Sequence, residues 1–210
     1  HCAGEAIHTG AREWQDGTAG ANAVTGMARL LLALEALEFP RSAARYFEDF
    51  RTVVTPGTII SGGTSVNVVP DQCEALVDIR LTPEQSLETF QALLDATISE
   101  VEREHPRLSF RYELMNYVPA AVSDDSAPLF AIVEQVVQDV KGVTPERVVA
   151  GPANEGYLLI EQGIPTVCGL GPSGENAHAP NEYVVIDGLV DAATIFALTA
   201  RRLSRLLDAP

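Results

Sequence analysis

Glu74-Ala-Leu-Val-Asp-Ile-Arg-Leu-Thr-Pro-Glu-Gln85 is the stretch on which the fold turns. Ala75, Val77, Ile79 and Leu81 alternate with Glu74, Leu76, Asp78 and Arg80. A period of two with one polar face predicts a half-buried strand. The pattern breaks at Thr82-Pro83. Thr82 as N-cap, Pro83 in the first turn and Gln85 closing a capping box predict a helix start there. Leu87, Phe90, Leu94, Ile98 and Val101 then recur at helical spacing up to His105-Pro106, where the residue before proline leaves the α region. Leu108, Phe110, Tyr112 and Leu114 alternate with Ser109, Arg111 and Glu113 and predict another strand.

Working back, Val53-Val54 and Thr58-Ile59-Ile60 read as strand around Pro56-Gly57, with a turn or bulge at Ser61-Gly62-Gly63. Ala23, Met27, Leu30, Leu31, Leu34 and Leu37 predict a helix that stops at Phe39-Pro40. Ala3 to Ile7 reads as a strand running into a loop at His8-Thr9-Gly10. The order is strand, helix, strand, strand, helix, strand. That is the split βαβ arrangement, with two helices on one face of an antiparallel sheet.

Beyond it, Asn116 to Ser126 reads as a linker. Leu129, Ile132, Val133, Val136 and Val140 predict a helix that Gly142 stops. A short strand at Arg147–Ala150, a loop at Gly151–Gly156, a short helix at Tyr157–Glu161 and a strand at Ile164–Cys168 follow. The last helix, about Asp187 to Leu207, starts with acids and ends with Arg201, Arg202 and Arg205, which suits its dipole. Two short apolar strands do not make a doubly covered sheet, so their partners are expected upstream of His1.

The net charge of −15 and a pI near 4.5 exclude nucleic acid and anionic membrane as partners, since nothing here would neutralise phosphates. Hydrophobic residues make up 46%, enough for a real core. Cys2, Cys73 and Cys168 are too scattered for a metal knuckle and odd in number, so free thiols in a reducing, cytoplasmic setting are expected. No run approaches a membrane span, and no signal peptide is evident. The chain begins without methionine, so the true N-terminus is expected upstream.

Gly169-Leu-Gly-Pro-Ser-Gly-Glu-Asn-Ala-His178-Ala-Pro-Asn-Glu-Tyr183 is a loop holding one histidine among small residues. Asn176, Asn181 and Glu182 are placed to orient the ring. Gly169, Gly171 and Gly174 match a dinucleotide fingerprint. Pro172 inside it, and the loop that separates it from the next helix, argue against that use. Taken alone, His178 also reads as a loop histidine bonded to a backbone carbonyl.

Gly4-Glu-Ala-Ile-His8, Gly20-Ala-Asn22-Ala23, Asn67-Val-Val-Pro70, Val77-Asp-Ile-Arg80, Gly163-Ile-Pro165, Gly171-Pro172 and Ala177-His178-Ala-Pro-Asn-Glu182 occur in this order. Together they resemble the zinc-dependent amidohydrolases that include acetylornithine deacetylase, succinyl-diaminopimelate desuccinylase, aminoacylase and glutamate carboxypeptidase. The resemblance implies an α+β, ferredoxin-like lid or dimerisation domain over residues 1–115. It implies the C-terminal α/β part of a zinc-peptidase-like catalytic domain over 116–210, with the N-terminal part absent. The family's His-x-Asp motif, bridging aspartate, glutamate pair and further acidic ligand have no counterpart here, so this chain is expected to be inactive alone.

By the same resemblance, His178 looks like the terminal ligand of a pair of zinc ions, with cobalt or manganese as substitutes. His8 looks like a lid histidine that reaches into the partner subunit and stabilises the oxyanion. Asn67 and Arg80 look like holders of the substrate carboxylate. Glu155 and Gly156 fall in a substrate-side loop. The implied reaction is attack of a metal-bridging water on the amide carbonyl of an N-acyl amino acid or small peptide, in a homodimer. On the residues alone, His8 equally ends a strand, Arg80 equally pairs with Asp78 or Glu74, and Asn67 equally caps a turn before Pro70. The rivals are a non-enzymatic dimerisation or small-molecule-binding module, and a dipeptidase or carboxypeptidase of the same family.

Overall fold

The computed structural model describes residues 1–151 and 153–207. Pro152, inside the loop expected at Gly151–Gly156, and residues 208–210 lie outside the described residues. The chain divides into two compact units, His1–Tyr117 and Val118–Pro210.

In the first unit the elements are β1 (Cys2–Ala3), α1 (Arg12–Gln15), α2 (Ala23–Glu35), β2 (Val53–Gly62), β3 (Gln72–Arg80), α3 (Leu87–Glu104) and β4 (Ser109–Phe110). The strands form one sheet in the order β2-β3-β1-β4 with every neighbour antiparallel. This is the ferredoxin-like order expected of the split βαβ pattern. Alternation along β3 decides which face is covered. Cys73, Ala75 and Val77 join the core, with Met27, Leu30, Leu31 and Leu34 of α2 and Ile98 and Val101 of α3. Glu74, Leu76, Asp78 and Arg80 stay exposed. Asn22 starts α2 as expected of an asparagine N-cap, accepting from Val24 N and Thr25 N at 3.0 Å each.

β2 is one continuous edge strand, bulged between Pro56 and Ile59. An edge is where a proline that lacks an N–H is tolerated. Pairing at β4 is shorter than the alternation to Leu114 suggested, because only Ser109 and Phe110 find ladder partners, at Ala3 and Cys2. Cys2 and Cys73 face each other across β1 and β3 as free thiols. Burial, first of all, pushes the Cys2 thiol up to about 11, so it is unreactive near neutral pH.

The helix start expected at Thr82 lies elsewhere. α3 begins at Leu87, and Ser86 is its N-cap, accepting from Thr89 N at 3.1 Å. Thr82 is buried instead, and its backbone N–H donates to Thr52 Oγ1 at 3.3 Å. The Glu84 carboxylate accepts from Ser42 Oγ and from the backbone N–H groups of Ala43 and Ala44, each at 2.7 Å. The Ser42 hydroxyl first, then Glu84's own N–H and those of Ala44 and Ala43, lower its carboxyl from 4.5 to about 2.

A carboxyl lowered by folding stabilises the fold above its unfolded value, and that contribution fades as pH falls through the folded value. The 42–44 segment should therefore stay latched down to about pH 4 and release as pH approaches about 2. Amide shifts of Ala43 and Ala44 followed by NMR should titrate together in that window. In Glu84→Gln they should not titrate at all.

The second unit contains α4 (Pro128–Lys141), α5 (Gly156–Ile160), β5 (Gly174–Glu175), β6 (Tyr183–Val184) and α6 (Ile186–Leu207). α4 stops at Gly142, whose φ of 70° is left-handed, as glycine C-caps allow. Val133, Val136 and Val137 of α4 and Ile195 of α6 form its core, with Val167 and Leu170 against it. The strands expected at Arg147–Ala150 and Ile164–Cys168 are not strands, because neither segment joins a ladder. Arg147 is held by Asp125 and Glu134 and lies over the Phe130 ring. The only strand pair described in this unit, β5 with β6, is a short hairpin that the sequence did not announce.

Candidate functional site

His8 lies just past β1 and is exposed. It forms an antiparallel bridge with Val68. Val69 N donates to Ile7 O at 2.8 Å, and Thr9 N donates to Asn67 O at 3.0 Å. The backbone thus brings His8 and Asn67 onto adjacent segments at the end of β3 that starts with Gln72. The sharp run from β1 into α2 depends on glycine. A Cβ at Gly20, where φ is 86°, would collide with Ile7 and Trp14 side chains.

At this end of the sheet two polar groups are set as donors. His8 Nδ1 accepts from Gly10 N at 3.0 Å. Ser65 Oγ donates to Asn67 Oδ1 at 2.6 Å, which leaves the Asn67 NH2 unpaired among the described residues. Neither the glycine amide nor the serine contact stood out in the sequence. The His-x-Gly and Ser-x-Asn spacings were the available signals.

Arg80 is at the other end of β3. Eight rises of about 3.3 Å put it roughly 26 Å from Gln72, so one chain does not bring Arg80 together with His8 and Asn67. Of the partners open to it, Arg80 takes Asp78: its Nε donates to Asp78 Oδ2 at 2.7 Å, with both side chains about half exposed. Such an exposed pair is worth little, and the two Nη groups remain unpaired among the described residues.

In the second unit, Glu155 precedes α5 and is exposed. Gly156 N donates to Asn154 Oδ1 at 2.9 Å. A Cβ at Gly156 would run into Cys168 Sγ, so this glycine lets α5 pack on the 166–168 segment. His178 sits on the loop that joins β5 to β6. Asn176, His178 and Asn181 take left-handed φ values of 61°, 62° and 63°. For a residue with a Cβ, that conformation costs roughly 1 kcal/mol. Turns close the loop, with Ala179 N donating to Asn176 O at 2.8 Å.

The His178 ring is exposed. Among the described residues it bonds neither a backbone carbonyl nor Asn176, Asn181 or Glu182, so the orienting contacts expected of those three are not made. Among the described residues no group of three or more His, Cys, Asp or Glu side chains could hold a metal. His178 offers a single ligand, and a two-metal centre does not fit on the described residues by themselves. Among the described residues no helix is long and apolar enough to cross a membrane.

Comparison with known proteins gives the site a context. The sequence pattern described as the peptidase dimerisation domain matches residues 2–106. An N-formyl-4-amino-5-aminomethyl-2-methylpyrimidine deformylase of Bacillus subtilis is 25% identical over 208 residues, covering 90% of this chain and 46% of the relative. An acetylornithine deacetylase of Myxococcus xanthus is 29% identical over 182 residues, covering 85% of this chain and 46% of the relative. The crystal structure of an aminopeptidase from Bacillus cereus superposes with a TM-score of 0.66 at 20% identity, covering 94% of this chain and 48% of that one. That likeness is one of fold. The chain spans about half the length of these curated relatives.

Proposed function

This chain belongs to the peptidase dimerisation domain family, whose pattern covers residues 2–106, and on that premise we propose that it serves a hydrolase that removes the acyl group from an N-acyl amino acid or a related small amide. One observation carries the reading. At one end of β3, His8 and Asn67 stand on adjacent segments, each with its acceptor atom already engaged and its N–H left to donate. Donors so placed suit an oxygen that gains negative charge when water adds to an amide carbonyl. The amide C–N bond then breaks to leave a carboxylate and an amine.

The separation along β3 shapes the rest. An N-acyl amino acid is far shorter than 26 Å, so it does not touch both ends of the strand in one subunit. The resemblance has Asn67 share the substrate carboxylate with Arg80, but its place beside His8 favours a different division: on this reading His8 and Asn67 of one subunit act on a substrate whose carboxylate Arg80 of a second subunit holds, which requires a homodimer. Residues 1–115 would be the lid and dimerisation domain, and residues 116–210 the C-terminal part of the catalytic domain. Glu155 and Gly156 would lie on the substrate side. His178 would give one ligand to a zinc pair, which cobalt or manganese could replace. Three free cysteines support a cytoplasmic setting.

Deacylation is favoured over peptide cleavage by the curated relatives, which are named deformylase, desuccinylase and deacetylase. The test is an assay of N-acyl amino acids and dipeptides, on the 210-residue chain and on any longer product of the same gene. His8→Ala should lower kcat on the order of a hundredfold and leave KM nearly unchanged, as loss of an oxyanion donor does. An unchanged kcat in an active enzyme would remove His8 from the reaction.

A further inference from the structure

We propose that the backbone N–H of Gly10 is a positioning group for His8: it fixes the tautomer and the direction of the imidazole, so that Nε2–H is the hydrogen presented to the substrate. The inference rests on the reading of His8 as a donor.

The first observation is the hydrogen bond. Gly10 N donates to His8 Nδ1 at 3.0 Å. A ring nitrogen that accepts must keep its lone pair, so the proton of the neutral ring sits on Nε2. The second is the missing side chain. A Cβ at Gly10 would stand 3.2 Å from Nδ1 and 3.3 Å from Cε1 of His8, tighter than ordinary contact. Glycine therefore supplies both the donor and the room for the ring to lie against it.

The turn that carries Gly10 is itself held. Ala11 N donates to His8 O at 2.9 Å, and Gln15 Nε2 donates to Gly10 O at 3.1 Å. Farther along the loop, Arg107 Nη2 donates to Gly17 O at 2.6 Å, and Gly20 N donates to Glu5 Oε2 at 3.1 Å. An exposed imidazole with no such partner samples several rotamers and both tautomers. A donor to a developing oxyanion acts through being set in place beforehand. The partner on the far nitrogen is what sets it, as it does for histidines that bind metals.

The test uses the 210-residue chain labelled with 15N, studied by NMR at a pH where free histidine is neutral. A coupling between the Gly10 amide nitrogen and His8 Nδ1 across the hydrogen bond is expected, together with a single Nε2–H tautomer. Gly10→Pro removes the donor, so the coupling should vanish and both tautomers should appear in a chain that still folds. Gly10→Ala keeps the donor but crowds the ring, so the coupling should weaken. No coupling in the wild-type chain, or an unaltered tautomer in folded Gly10→Pro, overturns the proposal. Should Gly10→Pro not fold, the wild-type coupling decides. An unchanged rate in His8→Ala would instead sink the catalytic reading and leave the NMR result standing.

Discussion

Phe90→Ala is expected to destabilise the first unit by about 3–5 kcal/mol. Phe90 is 2% exposed, in the first turn of α3, and its ring stacks on Phe39 with centroids 6.4 Å apart. Phe39 belongs to the connection between α2 and β2. Phe90 beneath Phe39 and Glu84 on the amides of residues 43 and 44 are among the contacts that anchor this connection to α3 and the segment before it. Truncation leaves a cavity the size of a ring, and the rest of α3 is held on the core by Ile98 and Val101. For a domain of this size the loss corresponds to a fall in melting temperature of roughly 10–20 °C, readable by calorimetry. A shift of only a few degrees would mean that the connection closes over the gap.

Gly4→Ala is expected to cost about 3 kcal/mol or more, although it adds a single methyl group. A Cβ at Gly4 would overlap the carbonyl oxygen of Ala21 and stand 3.2 Å from Ala23 N. Both obstacles are backbone, so neither yields by changing rotamer. Their positions are set by the reciprocal bonds between Glu5 and Ala21, at 2.9 and 3.0 Å, and by Ala23 N donating to Pro70 O at 2.8 Å. The added methyl must part β1 from the start of α2. The same movement shifts the segment that leads to His8, so this variant should lose the Gly10–His8 coupling as well as stability. Denaturant unfolding measures the first effect. A midpoint equal to that of the wild type would show that the strand and helix separate without cost.

The sequence was most legible where the cause of structure is local. Alternation along residues 74–81 gave the right faces for β3, because a strand's side-chain period does not depend on its partners. The order of elements and the sheet of the first unit followed from it. Gly142 stops α4 as its residue type predicts. Where a distant group intervened, local reading went astray. Thr82 has the composition of an N-cap, yet Thr52 claims it, and Glu84 is taken by amides forty residues upstream. Arg147-Val-Val-Ala150 has strand composition, but a strand needs a ladder, and Arg147 is engaged by Asp125 and Glu134. The β5–β6 hairpin lacked any strand pattern. It forms where Gly174 allows the backbone of Tyr183 and Val184 to approach.

The candidate site divides in the same way. Motif order pointed to His8, Asn67, Arg80, Glu155, Gly156 and His178 as a set. It did not show that β3 holds Asn67 and Arg80 apart, or that Gly156 is needed for packing on Cys168.

By itself, the amino-acid sequence indicated the longer helices, the alternating strand and the stop at Gly142, each of which depends on residues within a few positions of one another, while the order of motifs along the chain indicated the family. Only the tertiary structure decided what Glu84 holds and which proposed site residues stand together. Those outcomes depend on groups far apart in the chain, and their meeting is fixed by the packing of two helices on one face of a sheet.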